Sequence, residues 1–388
     1  MKVAGITDNH TVTVSLERQK MLSAIILMVN LKWIVPTAFM LGAAPAYITV
    51  WGSWRIISAI FPKWVYVKGD DFLFSTYHRN LMLFFEVLTG VELIFYGDLK
   101  ALQELPSGEN CIYMSNHQTT MDWVIASCIA LRRGSLGRVR YVLKDGLKFL
   151  PFYGFYLGMH GSLFVKRAKK FNRAKAEKQL SRDATDQKPM WLVIFPEGTR
   201  FNPEHHETIK LSKNFAIEQG LEPLENVLFP RVGAMQVCVE HLRTTVDSVF
   251  DITLAYGNSY NFSEKKHREA PPMQDFLMGL SPQVHIHVSR IPIDEVPVEA
   301  EKLKQWLYLR YQMKDRLLHE FYSAESEKEA RFPGMRVTKA LSLPALLPSV
   351  LLWSGTFAAV NAFHKGQQIY WTVGLGIASI GLVWMGIR

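Results

Sequence analysis

Cys111-Ile112-Tyr113-Met114-Ser115-Asn116-His117-Gln118-Thr119-Thr120-Met121-Asp122 is the stretch that decides the fold. Residues 111–115 are an apolar run closed by polar residues, which reads as a short buried strand. Thr119 offers a helix N-cap with Asp122 three residues on, as in a capping box, and the apolar residues of 123–133 run on to a stop at Gly134. A strand that passes through a short loop into a helix is the repeating step of an α/β sheet. Outward from it the same alternation recurs. Further strands are expected at 139–143, 162–167, 190–195, 227–231, 249–256 and 284–291. Helices are expected at 169–183, at 209–219 before Gly220, and at 299–322. Together these predict an α/β fold, a helix-flanked mixed sheet of about seven strands without internal repeats.

Both ends of the chain are apolar. Residues 21–31 and 33–52 form one stretch interrupted by Lys32 and punctuated by Pro36 and Pro45. It exceeds the ~20 residues that one bilayer crossing requires. Two arrangements fit, a single long tilted helix or two helices bent at the prolines that enter and leave the same leaflet. Lys32 at mid-bilayer would cost roughly 2.5–3.5 kcal/mol, which argues against one straight helix centred there. No small-residue cleavage pattern follows, so the stretch reads as retained rather than as a removed leader. Trp54 to Phe61 should lie along the interface. At the other end, 343–363 and 369–387 read as two spans joined by His364-Lys365-Gly366-Gln367-Gln368. Arg336, Lys339 and Arg388 flank that hairpin and place its ends on the cytosolic side. The expected organisation is an N-terminal membrane-embedded segment (1–62), an α/β domain (63–335) whose charged residues 323–336 link onward, and a C-terminal transmembrane hairpin (336–388).

Composition agrees. The 388 residues are 48% hydrophobic and include ten tryptophans, which suits a large surface at a lipid interface. The net charge of +9 contains no long run of one sign, so no nucleic-acid-binding tail is expected. The charge fits either an ordinary solvated surface or attraction to anionic headgroups and phosphorylated substrates. Cys111, Cys128 and Cys238 lack CxxC spacing and read as buried free thiols in a reducing compartment.

His117 and Asp122 carry the first chemical signal. On a continuous helix, five residues turn through about 140° and would separate the two side chains. They meet if His117 lies in the loop and Asp122 in the first helical turn, where the helix dipole favours a negative charge. An H-x4-D pattern alone recurs by chance, and Asp122 could merely cap its helix. The second signal is Phe195-Pro196-Glu197-Gly198-Thr199-Arg200. Pro196 cannot donate to a ladder and stops the strand, Gly198 permits a tight turn, and the polar side chains follow at the carboxyl edge of the sheet, where α/β proteins hold ligands. Arg200 can grip a phosphate with its planar fork while Glu197 orients it or the substrate. The plain alternative is a Glu197–Arg200 surface ion pair worth under ~1 kcal/mol. A base with its orienting acid, plus a fixed cation, equips a site to move an acyl group onto a hydroxyl beside a phosphate. His285 with His287, and His205 with His206, are not completed by cysteines or carboxylates into a metal set, so no metal is expected.

In this order and spacing the two blocks resemble the glycerolipid acyltransferase superfamily. Gly161-Ser162-Leu163-Phe164-Val165-Lys166-Arg167 is similar to its second block, which contacts the acceptor's phosphate, with two cations where one arginine is usual. Val227-Leu228-Phe229-Pro230-Arg231 is similar to its fourth, which implies that Pro230 lies near the acyl site. The stretches APAYITVWGSWR, VRYVLKDGLKFLPFYG, FPEGTRFNPE and RFPG resemble the epsilon-type branch of the 1-acylglycerol-3-phosphate acyltransferases, over roughly residues 21–388. The resemblance implies acyl transfer from acyl-CoA to the sn-2 hydroxyl of lysophosphatidic acid, giving phosphatidic acid. His117 would be the general base, oriented by Asp122. Lys144, Lys166, Arg167 and Arg200, with Glu197, Gly198 and Thr199, would hold substrate. No cofactor, metal or covalent acyl-enzyme is expected, and the partners are membrane lipids rather than nucleic acid. The alternatives are another lysophospholipid acceptor (lysophosphatidylinositol or lysocardiolipin) and a CoA-independent transacylase. Endoplasmic reticulum, mitochondrial outer membrane and nuclear envelope all suit such an enzyme with its site open to the cytosol.

Overall fold

The computed structural model describes residues 7–103, 108–166 and 173–387. Arg167 and Arg388, both singled out above, lie outside the described residues. The chain begins with α1 (Thr7–Ile57) and α2 (Lys63–Met82), then β1 (Glu92–Gly97), α3 (Leu99–Gln103), β2 (Cys111–Ser115) and α4 (Asp122–Arg132). Next come β3 (Val139–Lys144), α5 (Tyr153–His160), β4 (Leu163–Val165), α6 (Arg173–Thr185), β5 (Trp191–Ile194), α7 (His206–Glu218) and α8 (Val232–Leu242). The remainder is β6 (Ser248–Tyr256), the small hairpin β7 (Tyr260–Asn261) and β8 (Lys266–His267), α9 (Met273–Leu277), β9 (Gln283–Pro292), α10 (Ala300–Tyr322), β10 (Val337–Thr338), α11 (Leu343–Asn361) and α12 (His364–Ile387).

Eight strands form one mixed sheet in the order β10-β1-β9-β6-β2-β5-β3-β4. The run β6-β2-β5-β3-β4 is parallel throughout, and β9 turns antiparallel to β6. Alternating side chains feed two apolar layers, as the two-residue period of a strand dictates. Cys111, Tyr113, Trp191 and Val193 face the layer of α1, α2 and α4, whereas Ile112, Met114, Leu192 and Ile194 face α6, α8 and α10. The parallel register brings the carboxyl ends of β2, β5 and β6 to one edge. The site lies there.

Among the described residues, three helices are long and apolar enough to cross a membrane: Asn30–Ile60, Leu343–Asn361 and His364–Gly386. Helix α1 is continuous through Pro36 and Pro45, which settles the first alternative above in favour of one long helix. Lys32 stands at the start of the apolar span rather than its middle and is exposed, so its ammonium can reach the interface. Neighbouring helices accommodate the proline: a Cβ on Gly374 of α12 would lie 2.4 Å from the Pro45 Cβ, a contact only glycine allows. From the other side, Tyr77 of α2 and Tyr153 of α5 both donate to the Met40 carbonyl, at 3.0 and 2.9 Å.

Three expectations are corrected. Residues 227–231 form no strand, because their N–H groups go to other partners. Leu228 donates to the Glu197 carboxylate at 3.0 Å, Phe229 to the Ser212 hydroxyl at 2.7 Å, and Arg231 to the Pro196 carbonyl at 2.8 Å. The segment His364-Lys365-Gly366-Gln367-Gln368 is the start of α12, and the hairpin turns at Ala362-Phe363. Thr119 is not the N-cap of α4; a turn intervenes and Met121 holds that place. Instead the Thr119 hydroxyl donates to the Pro271 carbonyl at 2.6 Å.

Candidate active site

The loop leaving β2 is pinned before it delivers its histidine. The side chain of Asn116 bonds both backbone groups of Leu254 on β6, accepting from N–H at 2.8 Å and donating to C=O at 3.0 Å. That amide continues the ladder for one residue, which fixes where His117 begins. The His117 N–H donates to Glu197 at 2.8 Å, and its carbonyl accepts from Phe201 N–H at 2.7 Å. The ring stacks on Phe195, with centroids 4.5 Å apart.

His117 Nδ1 lies 2.6 Å from Asp122 Oδ2. The same oxygen accepts from the backbone N–H of Gln118 at 2.7 Å and Thr119 at 3.1 Å, and Oδ1 accepts from the Tyr256 hydroxyl at 2.6 Å. With four donors on a fully buried carboxylate, Asp122 has one orientation, and it holds Nδ1 as a donor nitrogen. Among the described residues Nε2 has no partner, and the ring lines a cavity. Tyr256, at the end of β6, was invisible in the sequence because no local pattern links it to a residue 134 positions earlier. Its phenol is held well above the ordinary range by burial and by the adjacent Asp122 charge.

Glu197 is placed differently from a substrate ligand. Its carboxylate is buried and bridges two backbone N–H groups, those of His117 and Leu228. It therefore clasps the β2 loop to the 227–231 segment and makes no pair with Arg200. Burial pushes its carboxyl well up, against the lowering effect of those two bonds. Gly198 closes the turn through its N–H to the Phe195 carbonyl at 3.0 Å and sits at φ +70°, a left-handed conformation that favours glycine.

The cavity holds about 860 Å³ and has two characters. The polar part of its lining includes His117, Gly198 and the cations Lys144, Lys166, Arg200 and Arg231. None of these four cations pairs with a described residue. Much of the rest is apolar or aromatic and comes from α1, α2 and α5, through Pro36, Met40, Leu41, Tyr77, Leu81 and Leu157. Thr199 and Pro230 do not line it. Arg231, the residue after Pro230, does, and so do Gly233 and Ala234 at the start of α8, a helix end that favours anions. The cation of the 227–231 segment, rather than its proline, is therefore the residue that meets the cavity. Leu147 and Leu150 line the rim, and with Phe149 they are exposed apolar residues in the segment between β3 and α5 that packs on α12.

A second buried His–Asp arrangement, Asp70, Asp71 and His160, brings donor atoms near enough to share an ion. Arg140 already bonds both ends of it, with Nη1 2.6 Å from His160 Nε2 and Nη2 2.7 Å from Asp71. The three cysteines are buried and unpaired.

The acyltransferase family model matches residues 98–256, and the model for the acyltransferase C-terminus matches residues 275–353. The chain is 39% identical to the 1-acyl-sn-glycerol-3-phosphate acyltransferase epsilon of Mus musculus, over 95% of this chain and 100% of that protein. It is 30% identical to a probable 1-acyl-sn-glycerol-3-phosphate acyltransferase 5 of Arabidopsis thaliana, over 75% of this chain and 72% of the relative. Against lysocardiolipin acyltransferase 1 of Gallus gallus identity is 29%, over 86% of each chain.

Proposed function

The chain belongs to the glycerolipid acyltransferase superfamily, and from that premise we propose that it transfers an acyl group from acyl-CoA to the sn-2 hydroxyl of lysophosphatidic acid. The observation that carries this reading is one cavity whose lining combines His117 and four cations, unpaired among the described residues, with apolar residues of the helices α1, α2 and α5. A lysophospholipid has the same two-ended chemistry.

In this reading the phosphate sits among Lys144, Lys166, Arg200 and Arg231, which brings the sn-2 hydroxyl to His117. Nε2 takes the hydroxyl proton as the oxygen attacks the thioester carbonyl, and Asp122 stabilises the imidazolium that forms. The C–S bond then breaks, and the proton passes to the departing CoA sulfur. A thioester is already activated, so the base has only to supply about 10²–10⁴-fold, roughly 3–5 kcal/mol of barrier. Holding the phosphate contributes by making the encounter local. Glu197 positions His117 by holding its backbone N–H. The exposed Leu147, Phe149 and Leu150 dip into the bilayer surface, so the acceptor reaches the cavity from the membrane. The parts 1–62 and 336–388 anchor the domain 63–335, with the site opening to the cytosol.

Purified full-length protein in lipid nanodiscs, given radiolabelled oleoyl-CoA and a panel of lysophospholipids, tests the assignment. The expected product is phosphatidic acid, formed fastest from lysophosphatidic acid. Preference for an acceptor without a terminal phosphomonoester would reject it in favour of the second reading, a lysocardiolipin-type acceptor, which the similarity to lysocardiolipin acyltransferase 1 supports. Activity with a phospholipid donor but not with acyl-CoA would make it a transacylase.

A further inference from the structure

Gly198 is tighter than its turn alone requires. A Cβ there would stand 3.3 Å from Arg231 Cδ and 3.4 Å from its Nε, so the arginine side chain lies directly over the turn that ends in Arg200. Arg231 is held at its base by its N–H to the Pro196 carbonyl at 2.8 Å. Two segments distant in sequence, 195–200 and 227–231, are thus laced together, and Arg200 and Arg231 both line the cavity that His117 lines. Neither finds a partner among the described residues, and the carboxylate of the same turn, Glu197, is bonded to two backbone N–H groups. Two neighbouring cations without a counter-charge repel each other, and an anion bearing two charges relieves this better than one bearing a single charge. A planar fork also matches a phosphate's oxygens in pairs.

We propose that Arg231, acting with Arg200 across Gly198, is the residue that selects acceptors ending in a dianionic phosphomonoester over those whose phosphate is a singly charged diester. This rests on the acyltransferase reading above and adds to it the basis of headgroup choice.

The test compares full-length wild type, Arg231→Gln and Arg231→Lys in nanodiscs, by turnover and by equilibrium binding of lysophosphatidic acid and lysophosphatidylinositol. For Arg231→Gln, KM and Kd for lysophosphatidic acid should rise about tenfold or more. Those for lysophosphatidylinositol should move less than about twofold, with the acyl-CoA KM unchanged; Arg231→Lys should recover part of the loss. Lowering the pH below the phosphomonoester's second pKa, ~6, should erode wild-type discrimination and leave Arg231→Gln nearly flat. An equal loss with both acceptors, or a loss confined to acyl-CoA, overturns the proposal. Wild type that binds lysophosphatidic acid preferentially but does not acylate it would sink the functional reading and leave the binding ratio to judge Arg231. Unchanged thermal unfolding shows that the variants fold.

Discussion

Among the described residues, His117–Asp122 and His160–Asp70 are two imidazole–carboxylate pairs with nearly the same contact distance, and they differ in what the second nitrogen meets. His117 Nδ1 lies 2.6 Å from Asp122, and His160 Nδ1 lies 2.7 Å from Asp70. Their second nitrogens differ. His117 Nε2 belongs to a ring that lines the cavity, whereas His160 Nε2 faces the Arg140 guanidinium at 2.6 Å, on a fully buried ring stacked against Phe74. A guanidinium can only donate, so His160 accepts there, and its basicity is spent inside the protein. Burial and the Arg140 charge push its pKa down to about 4. A carboxylate on one nitrogen orients a base, but a free nitrogen facing a substrate space is what allows it to act.

The comparison is broken most directly by exchanging the losses. His117→Ala should lower turnover by about 10²–10⁴-fold while the protein still folds and inserts. His160→Gln should leave turnover per folded molecule within a few-fold. Matched radiochemical assays on both variants decide it, and a silent His160→Gln with an active His117→Ala would reverse the assignment. Next in size is stability. Asp70→Asn removes the negative partner from a buried cluster containing His160 and Arg140, and Asp70 also accepts from Trp51 at 3.0 Å. Each hydrogen bond to a buried charged acceptor is worth about 1.5–3 kcal/mol, so thermal unfolding in detergent should fall by several degrees without a specific loss of kcat.

Smaller effects sharpen the catalytic side. Tyr256→Phe deletes one donor of the four on Asp122, a bond to a charged acceptor worth about 1.5–3 kcal/mol. We expect kcat to drop about tenfold with little change in either KM, as read from steady-state kinetics. The smallest effect is in acid. Burial holds His160, His78 and His267 each near pH 4 in the folded state, below the ordinary 6.5. Between those values the unfolded chain binds more protons, so stability is fully present above pH 6.5 and declines as pH falls toward 4. His160→Gln should make that decline shallower, measured by denaturant unfolding at a series of pH values.

The sequence's legibility follows the same divide. Strands β2, β3, β5, β6 and β9 and helices α4 and α10 carry clear periods and lie within a residue or so of expectation. Helix α2 was not foreseen because its buried positions include Asp70, Thr76, His78 and Asn80, polar residues that break the apolar period; Thr76, His78 and Asn80 bond back to carbonyls of their own helix, and Asp70 takes Trp51 and His160 from far away in sequence. At the site, His117, Asp122 and Arg200 were legible because one loop and one turn carry them. Tyr256, the inward turn of Glu197 and the lacing of Arg231 over Gly198 depend on strand order and long-range hydrogen bonds. Local pattern does not encode these.

The central claim is that His117 Nε2 receives a proton from the acceptor's hydroxyl. An experimental structure of the full-length protein with lysophosphatidic acid bound measures this directly. The account predicts the sn-2 oxygen within about 2.6–3.2 Å of His117 Nε2, with the phosphate at Arg200 and Arg231 and the acyl chain running under α1. A lipid whose free hydroxyl lies beyond reach of that nitrogen, with the chain outside the cavity, would contradict it.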